Sequence, residues 1–98
     1  MEDKTKQAAE AAGRMHQAYA DINTLKHIKF LVEEMRRMHQ QINGSITLLH
    51  DSHSASRLRE EAGKIETNAS SLDLEIEEAE KKANSAAFAN GSELYSLI

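Results

Sequence analysis

Cysteine, proline and tryptophan are all missing from this 98-residue chain, and glycine occurs only four times. Without cysteine there is no disulfide framework and no thiolate chemistry. Without proline, and with so few glycines, little in the sequence interrupts a helix. Aromatic residues are scarce as well: Tyr19, Phe30, Phe88 and Tyr95 are the whole set. The core must therefore be assembled from Ala, Leu, Ile, Val and Met, a palette suited to thin helix–helix seams. Runs of β-branched residues at a period of two are also missing, and with them any strand candidate. No segment approaches membrane-spanning length. Residues 1–50 carry seven Lys/Arg against six Asp/Glu and residues 51–98 five against ten, so neither half offers the basic face that nucleic acid requires.

What is present is helix-forming sequence in long runs, rich in Ala, Glu, Lys, Gln, Leu and Met. At 100° per residue, Ala8, Ala11, Met15, Ala18, Tyr19, Ile22 and Leu25 share one sector. Ile28, Leu31, Val32, Met35, Met38, Ile42, Ile46 and Leu49 share another. Two successive three-residue steps at residues 25–28 displace the stripe, which predicts a stammer or a kink there. The second half is more regular. Leu58, Ala62, Ile65, Ala69, Leu72, Ile76, Ala79, Ala83 and Ala86 alternate steps of four and three, giving a narrow seam with alanine at many of its positions.

A reversal near residues 53–54 pairs Leu49 with Leu58, Ile46 with Ala62, Ile42 with Ile65, Met35 with Leu72, Val32 with Ile76 and Leu25 with Ala83. Every rung is apolar on both sides. A reversal at Asn43-Gly44-Ser45 instead sets Met35 against His53 and Ile28 against Glu60, and is rejected. The expected fold is all-α: one antiparallel, coiled-coil-like two-helix hairpin over residues 1–98. Helix one covers about residues 3–50, the turn about 51–56, helix two about 57–88, and a flexible tail 89–98. The intramolecular seam then consists of Met35, Ile42, Ile46, Leu49, Leu58, Ile65, Leu72 and Ile76. Residues 3–17 overhang a helix two that stops near Phe88. Their apolar side chains, with the wide arc beyond them, form the expected partner interface: Ala8, Ala11, Met15, Tyr19, Ile22, Phe30 and Leu31.

No pattern points to chemistry. His50 and His53 flank Asp51, but a zinc site needs about four converging ligands, and a Ser-His-Asp mechanism needs groups oriented by a fold. No catalytic, metal-binding or cofactor-binding residue is expected. His39 falls on the seam opposite Ala69. Asn43-Gly-Ser, Asn68-Ala-Ser and Asn90-Gly-Ser are glycosylation sequons. Tyr95-Ser96-Leu97-Ile98 has the form of a peptide ligand, either a tyrosine-based sorting signal or a PDZ-type C-terminus.

The expected function is a non-enzymatic interaction module: a small coiled-coil subunit, adaptor or chaperone that packs against another helical protein or a second copy of itself. Neither nucleic acid nor membrane insertion is expected. In length and outline the chain is also similar to the small helical-hairpin substrates and partners of type VII secretion, although that family's Trp-x-Gly turn is missing. A third reading, from the sequons, is a fragment of an extracellular coiled coil. The N-terminal Met1-Glu2-Asp3-Lys4 has no apolar signal segment, so the expected location is the cytoplasm, or outside the cell by export without a cleaved leader.

Overall fold

The computed structural model describes residues 2–98 and contains two helices, α1 (Glu2–Ile46) and α2 (Ser52–Leu97), packed on each other as a hairpin. Among the described residues there is no strand. The chain divides into two compact units: a turn unit, Ile28–Ile76, and a termini unit, Met1–His27 with Glu77–Ile98.

The turn unit is built around two small buried clusters. Val32 packs with Ala69 and Ile76, and Ile46 with Ala55 and Ala62. The rungs Val32–Ile76 and Ile46–Ala62 read from the sequence are thus present, but each α1 residue also meets an alanine one heptad away on α2. This is the knob-into-hole arrangement, and the alanines leave room for it.

The reversal comes earlier than the expected 51–56. α1 ends at Ile46 and α2 starts at Ser52, so residues 52–56 belong to the second helix. The last turn of α1 tightens: the Leu48 and Leu49 amides donate to the Ser45 and Ile46 carbonyls, and the Thr47 hydroxyl donates to Gly44 O at 2.6 Å. Asp51 then caps α2. Its carboxylate accepts the His53 amide at 3.1 Å and the Ser54 hydroxyl at 2.7 Å, and its carbonyl accepts the Ala55 amide at 3.0 Å. The capping residue fixes the boundary. Asn43-Gly44 lies inside α1, and Gly44 does not take a left-handed conformation.

In the termini unit the larger correction is the end of α2, which runs to Leu97, not Phe88. No residue there takes the left-handed conformation that would stop a helix at Asn90-Gly91. Instead Asn90 donates from Nδ2 to Ala86 O at 2.7 Å and accepts Arg14 Nε at 2.7 Å, while Arg14 also reaches Glu93 at 2.9 Å. The glycine is useful for close approach: a Cβ at Gly91 would lie 3.4 Å from Met15 Sδ. α1 therefore has a partner where an overhang was expected, and Ala11 is completely buried.

Along α1, positions 11, 18, 25, 32, 39 and 46 keep a seven-residue spacing. Ala11, Ala18, Val32 and Ile46 are buried, with Leu25 and His39 half-buried. In α2 the same spacing runs through Ala55, Ala62, Ala69, Ile76, Ala83 and the half-buried Asn90. Within each unit the seam keeps this spacing. What changes between the units is which neighbours of the seam are apolar. In the termini unit they stand four residues after a seam position (Met15, Ile22, Ala87, Leu94). In the turn unit they stand three after it (Met35, Ile42, Leu49, Leu58, Ile65, Leu72). That exchange accounts for the displaced stripe in the sequence.

Candidate functional site: an apolar groove in the turn unit

The apolar neighbours of the turn-unit seam do not close over one another. Met38, Ile42, Ile46, Leu49, Leu58, Ala62 and Ile65 line an open groove of about 640 Å³, with Gln41, Ser45 and Glu61 at its edge. Its floor is the seam, represented by Ile46 and Ala62. Its walls stay in contact with water: Met38 is 57% exposed, Leu58 47% and Leu49 44%. Leu31, one heptad before Met38, is 48% exposed and extends the same row of α1. Scattered exposed leucines are ordinary, whereas these form a contiguous apolar groove along two helices.

The other neighbours of this seam, four residues after it, are polar, and Arg36, Glu66 and Asp73 among them are paired. Arg36 reaches Asp73 at 2.6 Å, Glu33 at 2.9 Å and Glu66 at 3.3 Å. Hydrogen bonding to Asp73, then to Glu66, raises the pKa of its guanidinium further above the ordinary value. Asn43 Nδ2 lies 3.1 Å from His39 Nε2, donating to it in the tautomer that carries its proton on Nδ1; Nδ1 faces Glu66 at 3.9 Å. His39 is thus tied into a polar lattice at the seam. Asp73 stands at the head of the acidic stretch that continues to Glu80, and the base that meets it is Arg36.

Of the expected seam residues, Ile46 and Ile76 are buried and Met35 and Ile65 half-buried, while Ile42, Leu49, Leu58 and Leu72 are more than a third exposed. Ile42, Leu49, Leu58 and Ile65 line the groove, so several residues assigned to the interior form its walls. Of the expected partner-facing residues, Ala11 is buried within the termini unit, and Ala8, Met15 and Ile22 are half-buried there. Tyr19, Phe30 and Leu31 are exposed. The aromatics are all outside: each is more than half exposed, and Tyr19, Phe88 and Tyr95 border a shallow depression beside Ala87 and Gly91.

The His50-Asp51-Ser52-His53 stretch is the helix cap just described. Its carboxyl is held below the ordinary range, first by the Ser54 hydroxyl and then by the His53 and Ser54 amides. No group of three or more His, Cys, Asp or Glu among the described residues is arranged to hold a metal. Among the sequons, Asn90 and Asn43 use their amide nitrogens in side-chain contacts, and Asn68 is exposed. Tyr95-Ser96-Leu97 is helical, so strand addition to a peptide groove requires unwinding the last turn. No described helix is long and apolar enough to cross a membrane.

Compared with family models, curated proteins and solved structures, the chain matches none.

Proposed function

We propose that the chain is a non-enzymatic interaction module that adds its two helices to a larger helical bundle, using the turn-unit groove as its contact surface. The observation that carries this reading is the groove's composition. Its walls are Met38, Ile42, Leu49, Leu58 and Ile65, and the polar atoms at its edge belong to a few side chains, Gln41, Ser45 and Glu61. Apolar rows along two neighbouring helices fit the apolar stripe of a third and a fourth helix. Methionine at the wall gives a surface that adapts to its occupant. Burying a leucine-sized side chain completely contributes about 1.5–3 kcal/mol, and each half-exposed wall has part of that left to gain against the entropy cost of association.

The test is affinity capture from source cells with the natural chain and with Leu49→Lys/Leu58→Lys. A helical partner retained by the first and lost with the second, at equal circular dichroism, supports the reading. Recovery of the same proteins by both chains, with both monomeric in solution, overturns it.

A further inference from the structure

We infer that the termini unit holds a second site, independent of the turn-unit groove: a shallow aromatic cage for the trimethylammonium group of a small molecule of the choline type. Three of the chain's four aromatic residues converge there. Tyr19 of α1 and Phe88 and Tyr95 of α2 border a depression of about 380 Å³, with Ala87, Gly91 and Ser92 between them. The helix pairing does not use these rings. Its seam in this unit is closed by alanines, and the three side chains stand 53%, 79% and 81% exposed.

The spacing selects the ligand. Phe88 and Tyr95 are seven residues apart, so they share a face of α2 and lie about 10.5 Å apart along its axis. A group seated over Gly91 and Ser92, midway, is about 5 Å from either position, within the ~6 Å over which an aromatic face attracts a cation. The small residues at 91 and 92 keep that gap open, and Tyr19 supplies a third wall from α1. A flat ring in contact with both aromatics would need them only about 7–8 Å apart. An anion meets the negative ring faces, and no Lys or Arg lines the depression to offset them. A neutral apolar group has little to gain, because so open a depression leaves it in contact with water. A trimethylammonium group is bulky enough for the gap, and its charge is less tightly hydrated than a lysine ammonium, so displacing its water costs less.

The experiment is a titration of the full chain with choline chloride, followed by NMR at the aromatic ring protons. Sodium chloride at equal ionic strength is the control and 3,3-dimethylbutanol the neutral isostere. Choline is expected to shift Tyr19, Phe88 and Tyr95 saturably and to bind about fivefold tighter than the isostere. Phe88→Leu and Tyr95→Leu should each weaken binding about two- to fivefold. Circular dichroism should stay unchanged, because both side chains are mostly exposed. Phe30→Leu, in the turn unit, should leave binding as it was. Equal binding of the neutral isostere, shifts that never saturate, or undiminished affinity in the Phe88→Leu/Tyr95→Leu double variant overturns the inference. A response to phosphatidylcholine vesicles without one to choline also overturns it, because recognition would then belong to a lipid surface.

Discussion

The two units of the hairpin share one heptad frame and fill it differently. In the termini unit the buried seam is alanine: Ala11, Ala18 and Ala83, with Ala87 beside it. In the turn unit Val32, Ile46 and Ile76 are set against Ala55, Ala62 and Ala69. Alanine seams allow helices to approach closely but bury little apolar area per residue, whereas large residues seated between alanines bury more. The termini unit supplements its seam with the Arg14–Asn90–Glu93 contacts. The turn unit supplements its own with the Arg36 lattice, and it alone keeps a leucine- and methionine-walled groove on the remaining flank. Both units leave a groove beside the seam, but that of the termini unit mixes Ala18, Ala79, Ala83 and Ala86 with Arg14, Asp21, Lys82 and Asn90, whereas that of the turn unit is walled by leucine, isoleucine and methionine.

The sharpest way to break this contrast is to place a charge on adjacent α1 residues. Val32→Asp buries an unpaired carboxylate at a position only 2% exposed, and is expected to unfold the turn unit, seen as loss of helical circular dichroism. Leu31→Asp, one residue away, should leave the melting midpoint nearly unchanged and weaken only association. Equal damage from both would mean that the exposed row belongs to the interior. Next in size, Ile76→Ala removes a buried branched side chain, at a cost of about 2–5 kcal/mol. Ala83→Gly in the termini-unit seam costs about 0.5–1 kcal/mol, since only backbone freedom and one methyl are at stake. Denaturant melts measure both, and hydrogen exchange should find the termini unit opening first. Exchange that is slower there than in the turn unit would reverse the ranking.

Smaller effects sharpen the picture. Gly13, Gly44 and Gly63 are helical with open space where a Cβ would go, so each Gly→Ala change should stabilise by about 0.5–1 kcal/mol. A loss at any of the three would show that the site needs its glycine. The smallest expected effect is that of pH at the turn. The Asp51 carboxyl has a folded pKa below its ordinary value of 3.8. Its capping contribution is therefore fully present above that value and is lost as the pH falls through the lowered one. Asp51→Asn keeps an accepting oxygen but not the charge, and should flatten this part of the stability–pH curve. An unchanged acid limb would mean that the cap is not held by charge.

Most of the architecture was readable in the residues. The helical content follows from the missing proline and the long runs of helix formers, and the rungs at Val32–Ile76 and Ile46–Ala62 follow from apolar spacing. The displaced stripe and the early end of helix two share one cause. Arg36, Asn43 and Asn90 occupy positions on or beside the seam, and a hydropathy stripe skips polar side chains, so the frame seemed to shift at residue 28 and to end at residue 88. Recognising Arg36 and Asn90 requires the opposite helix, where Glu66 and Asp73 partner the first and Arg14 the second. The boundary of α2 was more accessible: an aspartate three residues before a serine, at the start of a long apolar period, is a readable cap. The groove was hidden for another reason. Leu49 and Leu58 satisfy the rung pattern whether they face inward or line an open channel, and sequence spacing does not measure depth.

The strict seven-residue repetition has a consequence for length. Positions one heptad apart on α2 present nearly the same surface, so the hairpin is in principle extensible: seven residues added to each arm reproduce the rungs and return every following side chain to its face. Seven added to one arm alone leave the other arm misaligned, and polar pairs such as Arg36–Asp73 then oppose the shift that alanine would tolerate. The repeat makes the hairpin a ruler with evenly spaced marks, and the few polar contacts are the numerals that say which mark is which.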